Sequence, residues 1–371
     1  MNILQLTVDY PPPLTGGLPR QVRGLSHALT SRHSLGVVAS GPDRHDGPVH
    51  VFGADPLAVA LPSHDMTPLA RVNFGLVKAL VEADRAGTWD IVHAHDWMVA
   101  PAAVFAQQVL DIPVVASIHT DAAARTVGSD DDRLRRLDWE SSLAGVSSLL
   151  LAVSTPIRDL LVERYPGVPA RYLPNGVEPS RFGIGEIRRD QDRILFAGRL
   201  VPYKGCQDAI RAIALLRPAW PDIGLDIVGD GFHRPALEAL VQELGLEGSV
   251  TFHGWQETEA LDASYRRATI IIVPSHEEAF GIVAIEAMAA GTPVIASSIP
   301  TFASYIDHGS TGMLAAPGDP VDLARQLDRL LHDAELRSTL AQNALREIVP
   351  RHAWATVVGA VESAYRAVLL P

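Results

Sequence analysis

The sequence alternates short apolar runs with amphipathic stretches along nearly all of its 371 residues, and it completes this series twice. Near-continuous Val, Ile and Leu runs are typical of parallel strands buried on both faces, with helices as the crossovers. The first series predicts strands at 2–8, 35–39, 49–52, 90–93, 113–118, 149–153 and 171–173. The second predicts strands at 193–197, 224–228, 249–252, 269–273, 293–296 and 312–315. The pattern therefore favours an α/β chain with two doubly wound, Rossmann-like domains.

The two series meet at Pro174-Asn175-Gly176-Val177, which has the composition of a turn. We therefore expect an N-terminal domain over residues 1–174 and a second domain over residues 175–351. The last stretch, about 352–371, places its apolar residues on one side of a helix. A chain of 371 residues is long enough for two separate cores.

The strand predicted at 269–273 leads into a polar loop that contains Glu278. Gly281 then opens a helix, and Glu286 lies one turn inside that helix. Free N–H groups and the positive end of the helix dipole form an anion site at such a helix start. A phosphate would take the N–H groups, and the two carboxylates would accept hydroxyl hydrogens. The combination suits a ligand that is part phosphate and part polyol, as a sugar nucleotide is.

A second strand end, after residues 193–197, carries Gly198-Arg199 and then Lys204-Gly205. Of the 31 lysine and arginine residues in the chain, only Lys78 and Lys204 are lysines. A sequence that uses arginine nearly everywhere thus retains a compact point charge here. The start of a helix normally disfavours a cation, so the position favours a functional role for Lys204 over a structural one.

The N-terminal series also has polar strand ends. Gly16-Gly17 stands at a predicted helix start, where two glycines let a backbone approach a phosphate or sugar. The strand at 90–93 ends in His93-Ala94-His95-Asp96-Trp97, and the strand at 113–118 ends in His119. The His-x-His-Asp cluster lacks a third zinc ligand at motif spacing. The run Asp130-Asp131-Asp132 has no second carboxylate cluster near it, so no metal site is predicted.

Together these motifs resemble the retaining glycosyltransferases of the GT-B fold, specifically family 4, also called glycosyl transferases group 1. The Glu-x7-Glu spacing from Glu278 to Glu286 and the Gly-Arg-x4-Lys-Gly block from Gly198 to Gly205 carry the resemblance. The string from His93 to Trp97 is similar to one in glycogen synthases. The resemblance spans nearly the whole chain. It implies two Rossmann-like domains that face a central cleft, with the last helix packed back on the N-terminal domain.

The resemblance also implies roles for residues of the second series. Arg199 and Lys204 would hold the diphosphate of the donor. Backbone N–H groups of Phe280, Gly281 and Ile282 would meet phosphate or sugar oxygens. Glu286 would bind the ribose hydroxyls, and Glu278 would bind the sugar hydroxyls.

In the N-terminal half, the resemblance gives His119 a hydrogen bond to the donor sugar near its 6-hydroxyl. Asp96 would lie on the acceptor side of the cleft, close to the reacting centre. Gly16 and Gly17 would face the donor phosphates and the acceptor.

The implied reaction moves a hexosyl or amino-hexosyl group from a nucleotide diphospho-sugar to the hydroxyl of a soluble acceptor, with retention. The donor would be a UDP-sugar ahead of a GDP-sugar, and no metal or other cofactor is expected. The alternatives are a GT-B sugar-nucleotide epimerase, a phosphorylase, and a nucleotide-sugar-binding protein without turnover. A phosphorylase would need a pyridoxal phosphate lysine, for which only Lys78 is spare.

Composition limits the partners and the location. A net charge of −12 argues against a nucleic acid. The sequence has no apolar run of membrane-span length and no signal peptide, and its single Cys206 fits a reducing compartment, so we expect a cytoplasmic protein. The preference for arginine over lysine is what a high-GC bacterium would produce.

Overall fold

The structure is a computed structural model that describes residues 1–12, 16–54, 66–123, 130–183, 190 and 192–370. The chain divides into two compact units. The first unit combines Met1–Gly176 with Trp354–Pro371, and the second unit is Val177–Ala353.

The described part of the first unit contains one eight-stranded sheet. Its strands are β1 (Asn2–Leu6), β2 (Ser34–Ser40), β3 (Arg44–Asp46), β4 (Val49–Ala54), β5 (Ile91–His95), β6 (Val114–Ile118), β7 (Ser147–Ala152) and β8 (Ala170–Tyr172). They lie in the order β3-β4-β2-β1-β5-β6-β7-β8, parallel except for β3. The crossovers contain α1 (Gly17–Leu29), α2 (Met66–Ala86), α3 (Ala100–Gln108), α4 (Asp130–Val146) and α5 (Thr155–Arg164).

The second unit, as far as it is described, contains a six-stranded parallel sheet. Its strands are β9 (Arg193–Ala197), β10 (Gly224–Val228), β11 (Val250–Gly254), β12 (Ile270–Val273), β13 (Val294–Ser297) and β14 (Met313–Ala315), in the order β11-β10-β9-β12-β13-β14. Its helices are α6 (Cys206–Leu216), α7 (Arg234–Glu243), α8 (Thr258–Arg267), α9 (Ile282–Ala289), α10 (Pro300–Ala303), α11 (Pro320–His332), α12 (Ala334–Glu347) and α13 (Val349–His352).

Both sheets reverse their strand order next to the first strand of the unit. In the first unit β1 lies between β2 and β5, and in the second unit β9 lies between β10 and β12. Doubly wound sheets bind ligands at this switch point, outside the carboxyl ends of the strands. The loops that leave β1, β5, β9 and β12 are therefore where a site is expected.

The last helix, α14 (Trp354–Leu369), packs on the first unit. Its buried residues Val357, Val361 and Tyr365 belong to the same core as Ile3 of β1. Burial of each such valine is worth roughly 1.5–3 kcal/mol. The helix starts at Trp354 rather than at residue 352, because Ala353 is extended and pairs with Val177. Residue 371 lies outside the described part of the chain.

Each strand predicted from the sequence is present, with ends that differ by a few residues. The predicted fold class, α/β with two doubly wound Rossmann-like units, is confirmed. The short strand β3 was not predicted. Within the described ranges, no helix has both the length and the apolar character needed to cross a membrane.

Candidate active site

The carboxyl ends of β9 and β12 bring two predicted site residues into direct contact. The Nζ atom of Lys204 forms a short ion pair with Oε1 of Glu278, across 74 residues of sequence. The two side chains retain 17% and 16% of their exposure, so the pair is largely shielded but still reachable by a ligand. An ion pair at this depth is stronger than one on an open surface, because less water screens it.

Backbone contacts hold the two loops together. Gly205 has φ 72°, in the left-handed region that favours glycine, and a Cβ there would overlap the carbonyl of Pro274. The N–H of His276 donates to the carbonyl of Tyr203 at 2.7 Å. The imidazole Nε2 of the same histidine lies 2.6 Å from Oδ2 of Asp208. The loop after β9 is therefore attached to the loop after β12, and Lys204 is held against Glu278.

Arg199 lies in the loop after β9 with an exposed side chain, and its Nη2 donates to the Tyr203 hydroxyl at 3.0 Å. Within the described residues, Arg199 makes no hydrogen bond or ion pair with Lys204 or Glu278. The loop after β10 supports this segment, because the N–H of Leu200 donates to the carbonyl of Asp230 at 2.9 Å. A Cβ at Gly231 would overlap the Leu200 carbonyl, so glycine is required for this close approach.

The start of α9 also lies at this edge of the sheet. Gly281 is the N-cap with φ 86°, and a Cβ there would overlap the ring of Phe302. The Tyr305 hydroxyl donates to the carbonyl of Phe280 at 3.0 Å, and Thr301 Oγ1 donates to the carbonyl of Glu278 at 2.7 Å. These bonds hold the carbonyls of the loop, and the N–H of Ala284 bonds the carbonyl of Gly281 at 3.0 Å. The N–H groups of Ile282 and Val283, at the first two positions of α9, have no helical carbonyl one turn earlier. The geometry is that of an anion site.

Glu286 is buried and has partners inside the second unit. Its Oε2 accepts from the Tyr265 hydroxyl at 2.9 Å, and its Oε1 lies 3.4 Å from Nη1 of Arg181. Arg181 also pairs with Asp262 at 2.6 Å. The sequence interpretation missed Arg181, because a single arginine in a polar stretch carries no motif. These contacts hold the Glu286 carboxylate in one orientation.

In the first unit, Asp96 joins the ends of β5 and β6. Its Oδ1 accepts from the backbone N–H of Trp97 at 3.1 Å, and its Oδ2 accepts from the Thr120 hydroxyl at 2.9 Å. The side chain is buried, and the backbone has φ 69°. Such a conformation costs about 1–3 kcal/mol for a residue other than glycine, and functional sites are where such residues collect.

His119 follows β6, and its Nε2 lies 3.2 Å from Nδ1 of His95. Nε2 of His95 makes a short hydrogen bond to Oε1 of Gln5, which is fully buried in β1. In the sequence, His93 and His95 were weighed as zinc ligands and as part of a string similar to one in glycogen synthases, but neither was given a role. Among the described residues, no group of three or more His, Cys, Asp or Glu is arranged to hold a metal ion.

The same network continues deeper into the sheet. Nδ1 of His93 lies 2.7 Å from the Tyr365 hydroxyl, and its Nε2 lies 2.7 Å from Oγ of Ser117. Burial lowers the pKa of His93 to about 3 and that of His119 to about 4, and it lowers the pKa of His95 well below the usual 6.5. All three imidazoles are therefore neutral at pH 7.

Gly16 and Gly17 stand at the start of α1. Gly16 is the N-cap with φ 123°, and a Cβ added there would meet no atom of the described residues within 4 Å beyond its chain neighbours. The positive φ of the backbone is therefore what favours glycine here.

Comparison with known proteins identifies the family. The model described as Glycosyltransferase Family 4 matches residues 15–181, and the model described as Glycosyl transferases group 1 matches residues 179–347. The glycogen synthase of Mycobacterium tuberculosis is 32% identical over 392 residues, which cover 99% of this chain and 95% of that protein. The chain belongs to the group 1 glycosyltransferases.

This glycosyltransferase, a transferase enzyme, also has similar solved structures. The sucrose-phosphate synthase of Thermosynechococcus elongatus has a TM-score of 0.85 and 24% identity, with 99% of this chain and 98% of that chain covered. HepE of Anabaena, in complex with UDP-glucose, has a TM-score of 0.79 and 21% identity, with coverage of 99% and 100%. At such identities the likeness shows the fold alone, and that fold is GT-B, as predicted.

Proposed function

We propose that this glycosyltransferase moves a hexosyl or amino-hexosyl group from a nucleotide diphospho-sugar to the hydroxyl of a soluble acceptor. The transfer retains the anomeric configuration and needs no metal ion. The observation that carries the proposal is the Lys204–Glu278 ion pair at the switch point of the second sheet, next to the start of α9. A cation, a carboxylate and free N–H groups together suit a ligand with phosphate and hydroxyl groups.

The diphosphate is the leaving group, and its departure develops negative charge that must be stabilised. Lys204 and Arg199 supply two cations on the loop after β9, and the first turn of α9 supplies N–H groups. In this proposal they do the work that a divalent cation does in other transferases. The exposed guanidinium of Arg199 would come to the phosphates from its present bond to Tyr203.

Glu278 binds the sugar once the diphosphate has drawn Lys204 away from the Glu278 carboxylate. Its carboxylate then accepts hydrogens from sugar hydroxyls, which strengthens those bonds relative to neutral acceptors. Glu286 binds the ribose hydroxyls, with Arg181 and Tyr265 keeping the carboxylate oriented. The backbone N–H groups of Phe280, Gly281 and Ile282 bind phosphate or sugar oxygens.

In the first unit, His119 binds the donor sugar near its 6-hydroxyl, and Asp96 acts on the acceptor side. Gly16 and Gly17 present their backbone to the donor phosphates and the acceptor. The proposed mechanism of retention is front-face departure and attack. It is supported by the pairing of Glu286 with Arg181, because a carboxylate held by a cation is a poor nucleophile, while Glu278 is engaged with the sugar hydroxyls in this proposal.

The donor is proposed to be a UDP-sugar, with a GDP-sugar as the second choice. Support comes from HepE, a protein of the same fold that was solved with UDP-glucose. The name of the glycogen synthase relative supports an acceptor that is itself a sugar.

A hydrolysis screen tests this function. Purified protein is incubated with UDP-, GDP- and ADP-sugars, and release of the nucleoside diphosphate is measured by chromatography. We expect one nucleotide series to be turned over slowly by water. Loss of a charged hydrogen bond in Lys204→Ala or Arg199→Ala should cost about 1.5–3 kcal/mol, or roughly 10- to 150-fold in rate or affinity.

The matched control is Lys78→Ala, which removes the other lysine, exposed on α2 of the first unit. It should leave turnover unchanged. Equal activity of Lys204→Ala and wild type would contradict the proposed diphosphate site, and no release from any nucleotide sugar would contradict the reaction.

A further inference from the structure

The carboxylate of Glu140 on α4 is a buried charged group that the proposed reaction does not use. The side chain has 0% exposure. Its Oε1 accepts from Nη1 of Arg164 at 2.5 Å and from the Tyr165 hydroxyl at 3.0 Å, and its Oε2 accepts from the N–H of Ala122 at 3.3 Å. A carboxylate at this depth is costly unless its oxygens are bonded. Both oxygens of Glu140 are bonded, and one of the donors belongs to the loop after β6.

Ala122 lies in that loop, and α4 binds both polar groups of its backbone. The N–H donates to Oε2 of Glu140, and the carbonyl accepts from Nε of Arg136 at 3.1 Å. Arg136 and Glu140 are four residues apart, so they share one face of α4. Ala122 is fully buried, and buried peptide groups require partners. Side chains of α4 supply these partners, so the helix fixes the position of this peptide.

Arg164, in the last turn of α5, connects a second residue of the loop to Glu140. Its Nη1 donates to Glu140, and its Nη2 donates to Oδ1 of Asp121 at 3.0 Å. The same oxygen of Asp121 accepts from the N–H of Ala123 at 2.9 Å. A guanidinium presents its N–H groups in a rigid planar fork, so the two carboxylates are held at a fixed separation. The loop from Asp121 to Ala123 is therefore attached to both α4 and α5.

The attached loop is continuous with the candidate active site. Thr120 immediately precedes Asp121, and its hydroxyl donates to Oδ2 of Asp96 at 2.9 Å. Asp96 has φ 69°, a conformation that persists only where the surrounding structure holds it. A shift of the loop would move the Thr120 hydroxyl away from Asp96 and loosen the orientation of that carboxylate.

We propose that Glu140 is a positioning residue for glycosyl transfer. By holding Ala122, it keeps the Thr120 hydroxyl on Asp96. The inference rests on the proposed function, in which Asp96 acts on the acceptor side. Glu140 therefore contributes to transfer more than to hydrolysis of the donor, because water needs less positioning than an acceptor molecule. The proposed diphosphate site belongs to the second unit, so its affinity does not depend on Glu140.

Hydrogen exchange tests the first step of this path without reference to activity. In Glu140→Gln, the amide oxygen can accept but the amide nitrogen cannot. The guanidinium of Arg164 is the stronger donor, so the oxygen faces it and the nitrogen opposes the N–H of Ala122. We expect exchange in the peptide that covers residues 119–123 to become about 10- to 150-fold faster, the range of one hydrogen bond to a charged group. Mass spectrometry of the full chain measures it, and exchange as slow as in wild type would overturn the proposal.

Glu163→Gln is the matched control, because it makes the same change at an exposed residue of α5. It should keep exchange, transfer and hydrolysis as in wild type. Faster exchange in both variants would show a general loosening of the unit, and it would overturn the specific role of Glu140.

The ratio of transfer to hydrolysis tests the second step. UDP-glucose is the donor, and maltotriose is the acceptor probe because a glycogen synthase is among the relatives. We expect the ratio to fall about 2- to 10-fold in Glu140→Gln, while calorimetry shows unchanged affinity for free UDP. A merely structural role would lower the melting temperature and both rates together, and that result would overturn the proposal. If wild type releases no UDP from UDP-glucose, the proposed donor fails, whereas hydrogen exchange still decides whether Glu140 holds the loop.

Two further variants follow the path to Asp96. Thr120→Val removes the hydroxyl and leaves the bonds of Glu140 intact, so it serves even if Glu140→Gln does not fold. It should lower the ratio of transfer to hydrolysis, as Asp96→Asn does. Addition of Glu140→Gln to Asp96→Asn should lower the ratio no further, because both changes act through one carboxylate. An unchanged ratio in Thr120→Val, or additive losses in the double variant, would overturn the proposal.

Discussion

Lys204 and Glu278 are bound to each other in the second unit, from loops that follow neighbouring strands β9 and β12. Each is proposed to bind a different part of the donor, Lys204 the diphosphate and Glu278 the sugar. In the structure each of the two groups therefore satisfies the other. A diphosphate that takes Lys204 must separate the pair, and this leaves the carboxylate available for hydroxyl groups.

Glu278→Gln should separate binding from turnover. Removing the carboxylate frees Lys204, so affinity for the free nucleoside diphosphate should stay the same or rise in calorimetry. Turnover should fall about 10²- to 10³-fold, because a contact that matters in the transition state is lost. The control is Glu277→Gln, which makes the same change at the exposed neighbouring residue. If Glu278→Gln weakens diphosphate binding and Glu277→Gln does not, then Glu278 and the diphosphate do not compete for Lys204.

Gly205→Ala should disturb the same site through the backbone. The residue has φ 72°, and its new Cβ would overlap the Pro274 carbonyl, so the two loops must move apart. Diphosphate affinity should fall at least as much as it does in Lys204→Ala. Gly248→Ala is the control, because a Cβ there meets no atom of the described part of the chain within 4 Å. Calorimetry with circular dichroism checks the result, and unchanged affinity in a folded Gly205→Ala protein would show that the loop contact is dispensable.

Asp96→Asn should reduce transfer more than hydrolysis. The side chain is proposed to act on the acceptor side, and water needs less positioning than an acceptor molecule. We expect the ratio of transfer to hydrolysis to fall by about tenfold, on the scale of one lost charged contact. Asp90→Asn serves as the control, since Asp90 precedes the amino end of β5 and accepts from the N–H of Asn2. Equal loss of both rates would remove Asp96 from the acceptor side.

The buried histidines should make the free energy of unfolding depend on pH. The unfolded chain protonates His93 near pH 6.5, whereas burial lowers its folded pKa to about 3. Stability from the neutral ring is thus complete above pH 6.5 and declines as the pH falls. Each such histidine contributes a slope of about 1.4 kcal/mol per pH unit. Carboxyl groups also titrate in the lower part of the window from pH 6.5 to 4.5, since burial raises the pKa of Glu140 above its ordinary 4.5. The contribution of His93 is therefore the difference in slope between wild type and a His93 variant.

Denaturant unfolding across that window measures this slope. His93→Gln should make it shallower by about 1.4 kcal/mol per pH unit, even if the variant is less stable throughout. His332→Gln, a change at an exposed histidine, should leave the slope unchanged. An identical slope in His93→Gln and wild type would show that His93 is not held neutral.

Much of the fold follows from the sequence, because apolar runs buried on both faces of a sheet are a local signal. The strand β3 was not predicted because it lacks this signal: Arg44-His45-Asp46 is short and polar. Its place depends on Asp46, which accepts bonds from Tyr10, Arg23 and His27. Those partners are distant in sequence, so no local pattern reveals them.

The site residues also fall into two groups, those that the sequence could predict and those that it could not. Glu278 and Lys204 could be predicted because motif spacing and the scarcity of lysine both mark them. The link from His119 through His95 to Gln5 and Tyr365 could not be predicted, because it depends on strand register and on the return of α14. One local signal was present, since His93 and His95 are two residues apart and must share a face of the strand.

Time-resolved ¹H NMR of donor hydrolysis is the most direct test of retaining, metal-independent transfer from a nucleotide diphospho-sugar. Wild-type protein is mixed with UDP-glucose in excess EDTA, and the anomeric protons of released glucose are followed before mutarotation mixes them, with Glu278→Gln as the blank. We predict that α-glucose appears first and that EDTA does not slow its release. Initial β-glucose would contradict retention, and activity that needs added Mg²⁺ or Mn²⁺ would contradict the role given to Lys204 and Arg199.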